Sequence, residues 1–200
     1  MTSSSEGCLP EMSAFTHLHV ASAFSAQYGT AAPEQFVRAA AEAGAGAAAI
    51  TDRDGLYGAV RHIRACIEAN LAPIVGVDLR LSAAKDDASA SRRNSVRATV
   101  LAHGQFAGQS WAGLCRLISA AHTPPRGAAI TARRNWLPQL PVGRFAPFLR
   151  DSAGEPLGTV LLGPDSDVGV ALAAGDTDTA VSRLKNWQRQ LPGGVVVEIV

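Results

Sequence analysis

The stretch AAAITDRDGLYGAVRHIRACIEANLAPIVGVDLRL, residues 47 to 81, decides the fold class. Ala47 to Ile50 reads as a short buried strand, and Thr51-Asp52-Arg53-Asp54-Gly55 as a polar turn following it. Leu56, Val60, Ile63 and Ile67 recur at helical spacing until Asn70 offers a left-handed cap. Pro73 then opens an Ile- and Val-rich strand that runs through Leu81. This is a β-loop-α unit with a further strand behind it.

The same rhythm extends in both directions. Upstream, A-F-T-H-L-H-V from Ala14 to Val20 alternates, so an extended chain puts Phe15, His17 and His19 on one face. Pro33-Glu34 suits the first turn of a helix with Phe36, Val37, Ala40 and Ala41 on one side, and Gly44 and Gly46 as stop signals. Downstream, Val96 to Ala102 reads as a strand, with residues 82 to 95 a flexible loop before it, and Trp111, Leu114, Cys115 and Ile118 mark an amphipathic helix. Residues 122 to 158 are rich in Pro, Gly and Arg and read as a long loop that Trp136 and Phe145 pin down. A strand near Thr159 to Leu162, helices around Asp165 to Ala174 and Thr177 to Gln190, and an apolar strand from Val195 complete the pattern. Such alternation predicts an α/β fold with mostly parallel strands. Residues 1 to 12 read as a disordered leader and 13 to 200 as one domain, and an apolar strand at the very end reads as part of a larger protein.

With 47% hydrophobic and 18% charged residues the composition is that of a globular chain. Eighteen basic residues against 17 acidic ones leave +1, so no global field favours nucleic acid or an anionic membrane. Arg far outnumbers Lys and Ala is abundant, the bias of a GC-rich coding sequence and hence of a bacterial source. Cys8, Cys66 and Cys115 show neither metal-site spacing nor a disulfide framework, which suits a reducing cytoplasm. No apolar run is long enough to span a membrane, and no signal-peptide pattern opens the chain.

In α/β folds chemistry gathers at the carboxyl ends of strands, where His17, His19, Asp52 and Asp78 are expected to converge. Two histidines at i, i+2 on a strand can both face one ion, or both be hydrogen-bonded histidines without one. Asp52 and Asp54 can hold a metal or a proton, or simply form a turn, and Asp78 is an inward acid or a strand-end cap. Arg92, Arg93, Arg97, Arg126, Arg133, Arg134, Arg144 and Arg150 are the candidates for phosphate contacts, with Trp136 and Phe145 as stacking groups. With the charges balanced, a solvated basic loop is the better reading, and contact with DNA is expected to be weak.

F-T-H-L-H-V-A-S, Tyr28-Gly29, A-I-T-D-R-D-G-L-Y-G-A-V, P-I-V-G-V-D-L, T-V-L-A, G-L-C-R-L-I-S-A-A-H and V-V-V-E-I-V follow one another in an order that resembles the PHP (polymerase and histidinol phosphatase) domain. That domain opens the bacterial C-family DNA polymerases, the DNA polymerase III alpha subunit and its error-prone relatives. The resemblance implies a distorted, TIM-like β/α barrel, here incomplete at its C-terminus, whose active members hold zinc, manganese or magnesium and hydrolyse phosphoesters. His17, His19 and Asp52 match the family's ligand pattern. Ala21 and Arg53 stand where it has histidines, Tyr28 where it has an aspartate, and Asp78 where a glutamate is usual. Arg has no lone pair to offer and stays cationic, so Arg53 repels the ion a histidine would bind. The four ligand positions are therefore expected to be vestigial, with Tyr28 and Arg53 filling the site, no tightly bound cofactor and no catalytic residue. Arg53 is further expected to bridge Asp52 or Asp78 in place of the metal.

The implied function is a PHP scaffold of a polymerase in DNA replication or repair synthesis, inactive alone, with the remaining polymerase domains or accessory proteins as partners. The alternatives are a free-standing metal-dependent phosphoesterase or 3′–5′ exonuclease, and a module that binds DNA or protein through the basic loop.

Overall fold

The computed structural model describes residues 15–82, 96–125, 127 and 130–199. The expected leader and nearly all of the expected loop at 82 to 95 lie outside them. Helix α1 (Pro33–Glu42) leads into β1 (Ala47–Arg53), and α2 (Ala59–Glu68) into β2 (Ala72–Leu81) and β3 (Arg97–Ala102). Then come α3 (Ala107–His122), α4 (Ile130–Arg134), β4 (Gln139–Leu140) and α5 (Ala146–Leu149). The last elements are β5 (Gly158–Leu162), α6 (Asp167–Ala173), α7 (Thr177–Gln190) and β6 (Val195–Val197).

The strands form one six-stranded sheet in the order β1-β2-β3-β5-β6, with β4 beside the end of β2. Pairs β1/β2, β2/β4 and β5/β6 are parallel, while β3 runs antiparallel to both its neighbours. The α/β class and the parallel bias hold, with β3 as the exception.

Register sorts the two faces of this sheet. Asp52 lies opposite Val77 and Arg53 opposite Asp78, and Asp78 faces Thr99 and Arg80 faces Arg97 across the next pair. Because side chains alternate along a strand, Ile50, Val77, Leu79, Val100 and Val160 share one face. They pack with Leu114 and Leu117 of α3 and Trp187 of α7 into the main core. The other face carries Thr51, Arg53, Asp78, Arg80, Arg97 and Thr99, a polar group bordered by Leu101 and Leu161.

Several expectations are corrected here. Phe15 to Val20 is not a strand; only Val20 pairs, accepting the Thr51 N–H at 2.8 Å and donating its own N–H to Thr51 Oγ1 at 2.7 Å. β1 runs on through Arg53, so Asp52 and Arg53 are strand residues, and the turn begins at Asp54, whose φ is 59°. On α2 the stripe splits: Val60 and Ile67 are exposed, and the buried side is Ala59, His62, Ala65 and Cys66. Small residues let the helix approach β1 closely enough for His62 Nε2 to donate to the Ala48 carbonyl at 3.0 Å. The expected loop at 122 to 158 contains short elements, none longer than five residues. That is too short for periodicity to register. Phe145 is fully buried, and Trp136 Nε1 donates to the Ala121 carbonyl at 2.9 Å, so both aromatics do anchor this region.

Trp187 is the largest fully buried side chain, edge-on to Phe145 at 5.2 Å between ring centres, with Nε1 donating to Asp167 Oδ1 at 2.9 Å. Trp187→Ala is expected to cost about 3–5 kcal/mol, read as a lower denaturant midpoint at unchanged slope.

Candidate functional site

The polar face is built on Asp78, a carboxylate 1% exposed in the middle of β2. Its Oδ2 accepts from Arg97 Nε at 2.9 Å and lies 3.1 Å from Arg53 Nε and 3.9 Å from His19 Nε2. Arg97, 4% exposed, also gives Nη2 to the Asp78 carbonyl at 2.7 Å and to Asp54 Oδ1 at 2.8 Å. Burial pushes the Asp78 carboxyl up, but the His19 contact and the Arg97 and Arg53 charges outweigh it and hold it below the usual range. His19 moves the other way: its contact with Asp78 raises it against burial, with Glu198 adding to the rise.

Arg53 lies over the ring of Tyr28, its guanidinium carbon 3.4 Å from the ring centre. Tyr28 reaches that place through a tight turn in which Tyr28 and Gly29 both donate to the Ser25 carbonyl. A side chain on Gly29 would collide with the Ser22 carbonyl, which fixes glycine there. Asp52 straps the turn down. Its Oδ1 accepts from the Ser22 N–H at 2.7 Å and from the Ser22 and Ser25 hydroxyls at 2.8 Å, and Ser25 Oγ accepts the Arg53 N–H at 2.9 Å.

The four ligand candidates therefore do not gather as expected. His19 and Asp78 meet, whereas Asp52 points to the opposite face of the sheet and is saturated by serines. His17 is exposed and packs edge-on against Phe15. Arg53 contacts Asp78, not Asp52.

Sequence reasoning missed Ser22, Ser25, the Asp54 pairing and Glu198, whose Oε2 lies 3.3 Å from His19 Nδ1. That last contact joins a residue beside the first strand of the sheet to one just past the last, so the sheet curls toward a barrel. Arg97, expected among the solvent-facing phosphate contacts, is an internal residue, and Phe145 is too deeply buried to stack on a base. Arg133, Arg134 and Arg144 are exposed, as a solvated basic loop requires. Among the described residues no three His, Cys, Asp or Glu side chains are grouped as metal donors, and no helix is long and apolar enough to cross a membrane.

Compared with known proteins, the chain matches the family model described as the PHP domain over residues 17–200. The error-prone DNA polymerase of Mycobacterium tuberculosis is 44% identical over 70 residues, 35% of this chain and 6% of that protein. That of Mycolicibacterium paratuberculosis is 36% identical over 108 residues, 54% of this chain and 10% of that protein. The chain thus spans a tenth or less of these curated relatives. An amidohydrolase from Chromobacterium violaceum shares the fold, with a TM-score of 0.51 and 17% identity over 90% of this chain and 75% of that one.

Removing Arg97 leaves Asp78 buried with only partial compensation, so Arg97→Ala is expected to destabilise by about 3–5 kcal/mol. Arg53→Ala, from a more exposed position with Arg97 still in place, is expected to cost about 1–3 kcal/mol; chemical denaturation of both variants checks the order. The pH dependence has a defined sign. A depressed Asp78 contributes stability that is complete above the ordinary aspartate pKa of about 4 and is lost as pH falls through its lower folded value. Melting curves of Asp78→Asn should therefore show a smaller drop at the acid end than the wild type.

Proposed function

We propose that this chain, which belongs to the PHP domain family, serves an error-prone DNA polymerase as a structural module without hydrolytic chemistry of its own. The observation that carries the reading is the pair of guanidinium groups on Asp78. A divalent ion entering beside Asp78 would meet two fixed cations, and of the other expected donors only His19 is there: Asp52 is turned to the other face and His17 stands apart. The side chains present do not suit the metal cluster that the family's hydrolysis uses.

What they do suit is cross-linking. Arg97 ties β3 to β2 and to the Asp54 turn, and Arg53 ties β1 to β2 and to the Tyr28 turn. His19 joins the N-terminal segment to β2 and to the exit of β6. A guanidinium can hold these elements together but cannot polarise a water as a metal does. Such a unit offers the remaining polymerase domains a rigid surface to pack on, and its exposed arginines supply at most weak, salt-sensitive phosphate contacts.

The purified chain is tested by elemental analysis and by incubation with manganese and 3′-labelled single-stranded DNA. The expected result is metal well below one ion per chain and no release of label. Two or more tightly held zinc or manganese ions together with manganese-stimulated hydrolysis would establish the phosphoesterase or exonuclease reading instead. Co-expression with C-family polymerase domains should yield a complex; a chain that stays alone while remaining folded counts against the scaffold.

A further inference from the structure

Arg80 is the one guanidinium of the polar face that the Asp78 cluster does not use. It sits on β2 two residues beyond Asp78 and is 6% exposed. Its Nε and Nη1 are shut off from solvent and have no hydrogen-bond partner among the described residues, and Asp78 Oδ1 on the same face is likewise buried without one. Directly across the strand pair stands Arg97, a like charge, whose own carboxylate partners are Asp78 and Asp54. Burial is what most disfavours the Arg80 charge; Arg97 and Arg53 add repulsion, and Asp54 and Tyr28 act the other way.

A buried, unpaired guanidinium is costly, because arginine does not shed its proton to escape the penalty as a lysine can. Two orphaned donors on one such group add the cost of unmade hydrogen bonds. A lone water satisfies a donor but not the charge. A small oxyanion supplies both what is missing: negative charge, and acceptor atoms for N–H groups that point in different directions.

We propose that Arg80 is the anchor of an anion site on the Asp78 face of the sheet, filled by a phosphate-class oxyanion and independent of any divalent metal. Arg97 stands directly across the strand pair from it, so the bound anion relieves the repulsion between these like charges. Since both free donors are closed to solvent, the anion enters through a local opening of the face, and binding and release are slow. The inference needs Arg80 alone, and does not depend on whether the chain is a scaffold.

Thermal melts of the chain test it, with inorganic phosphate in one arm, a nucleoside monophosphate in a second, and sodium chloride at matched ionic strength as reference. A saturable rise of about 5 °C or more at ~100-fold excess over Kd is expected for phosphate and not for chloride. A response to phosphate alone identifies a free anion, and a response to both arms identifies a phosphoester. Arg80→Met should abolish the response. Because that variant removes an unpaired buried charge, it should also melt no lower than the wild type does without phosphate, so the comparison does not fail for want of folding. Arg80→Lys should retain part of the response. No saturable rise in the wild type, or an equal rise in Arg80→Met, overturns the proposal, and neither result bears on the metal content of the chain.

Discussion

A carboxylate enclosed in the middle of a β-sheet is the constraint around which this molecule is arranged. Asp78 cannot be buried ionised without opposite charge close by, and Arg97 and Arg53 supply it from the strands on either side. Each of these arginines then needs support of its own. Arg97 takes Asp54 and the Asp78 carbonyl, and Arg53 takes the face of Tyr28. Tyr28 is held by a turn that hangs on Asp52 through Ser22 and Ser25. The path from Asp52 to Asp78 thus crosses the sheet by way of a loop and an aromatic ring, although the two residues lie on neighbouring strands.

This division explains why two aspartates of similar burial play different parts. Asp52 is neutralised by hydroxyl and amide donors, which satisfy a carboxylate without adding charge. Asp78 is neutralised by cations, which also fix the spacing of three strands. The first arrangement anchors a loop, and the second ties three strands together. His19 extends the second arrangement to Glu198, just past the last strand.

Much of the fold was legible because it rests on local signals. Pro33, Asn70 and the Ile- and Val-rich run after Pro73 each mark an element where one is found. The α2 face was misread because apolar periodicity favours large side chains, while the buried side of that helix uses alanine, cysteine and a histidine that reaches a strand carbonyl. The site was legible in its members but not in its geometry. Whether Asp52 and Asp78 face the same way depends on where β1 ends and on its register with β2, and neither is written in the residues themselves. Arg97 shows the limit most plainly: in sequence it belongs to a basic stretch, and only the pairing of β3 with β2 turns it inward.

Where the family resemblance implies a histidine, position 53 carries an arginine. A histidine at that place would point toward Asp78 and offer a lone pair to a shared cation. Arginine at the same register brings the cation itself, covalently attached to β1, so charge balance no longer depends on what is bound. Arg80 fits this logic from the opposite side. Arg53 and Arg97 take Asp78 Oδ2 and Asp54 Oδ1, and Arg80, set directly across from Arg97, is left with two buried donors that have no partner among the described residues, which is what an anion supplies.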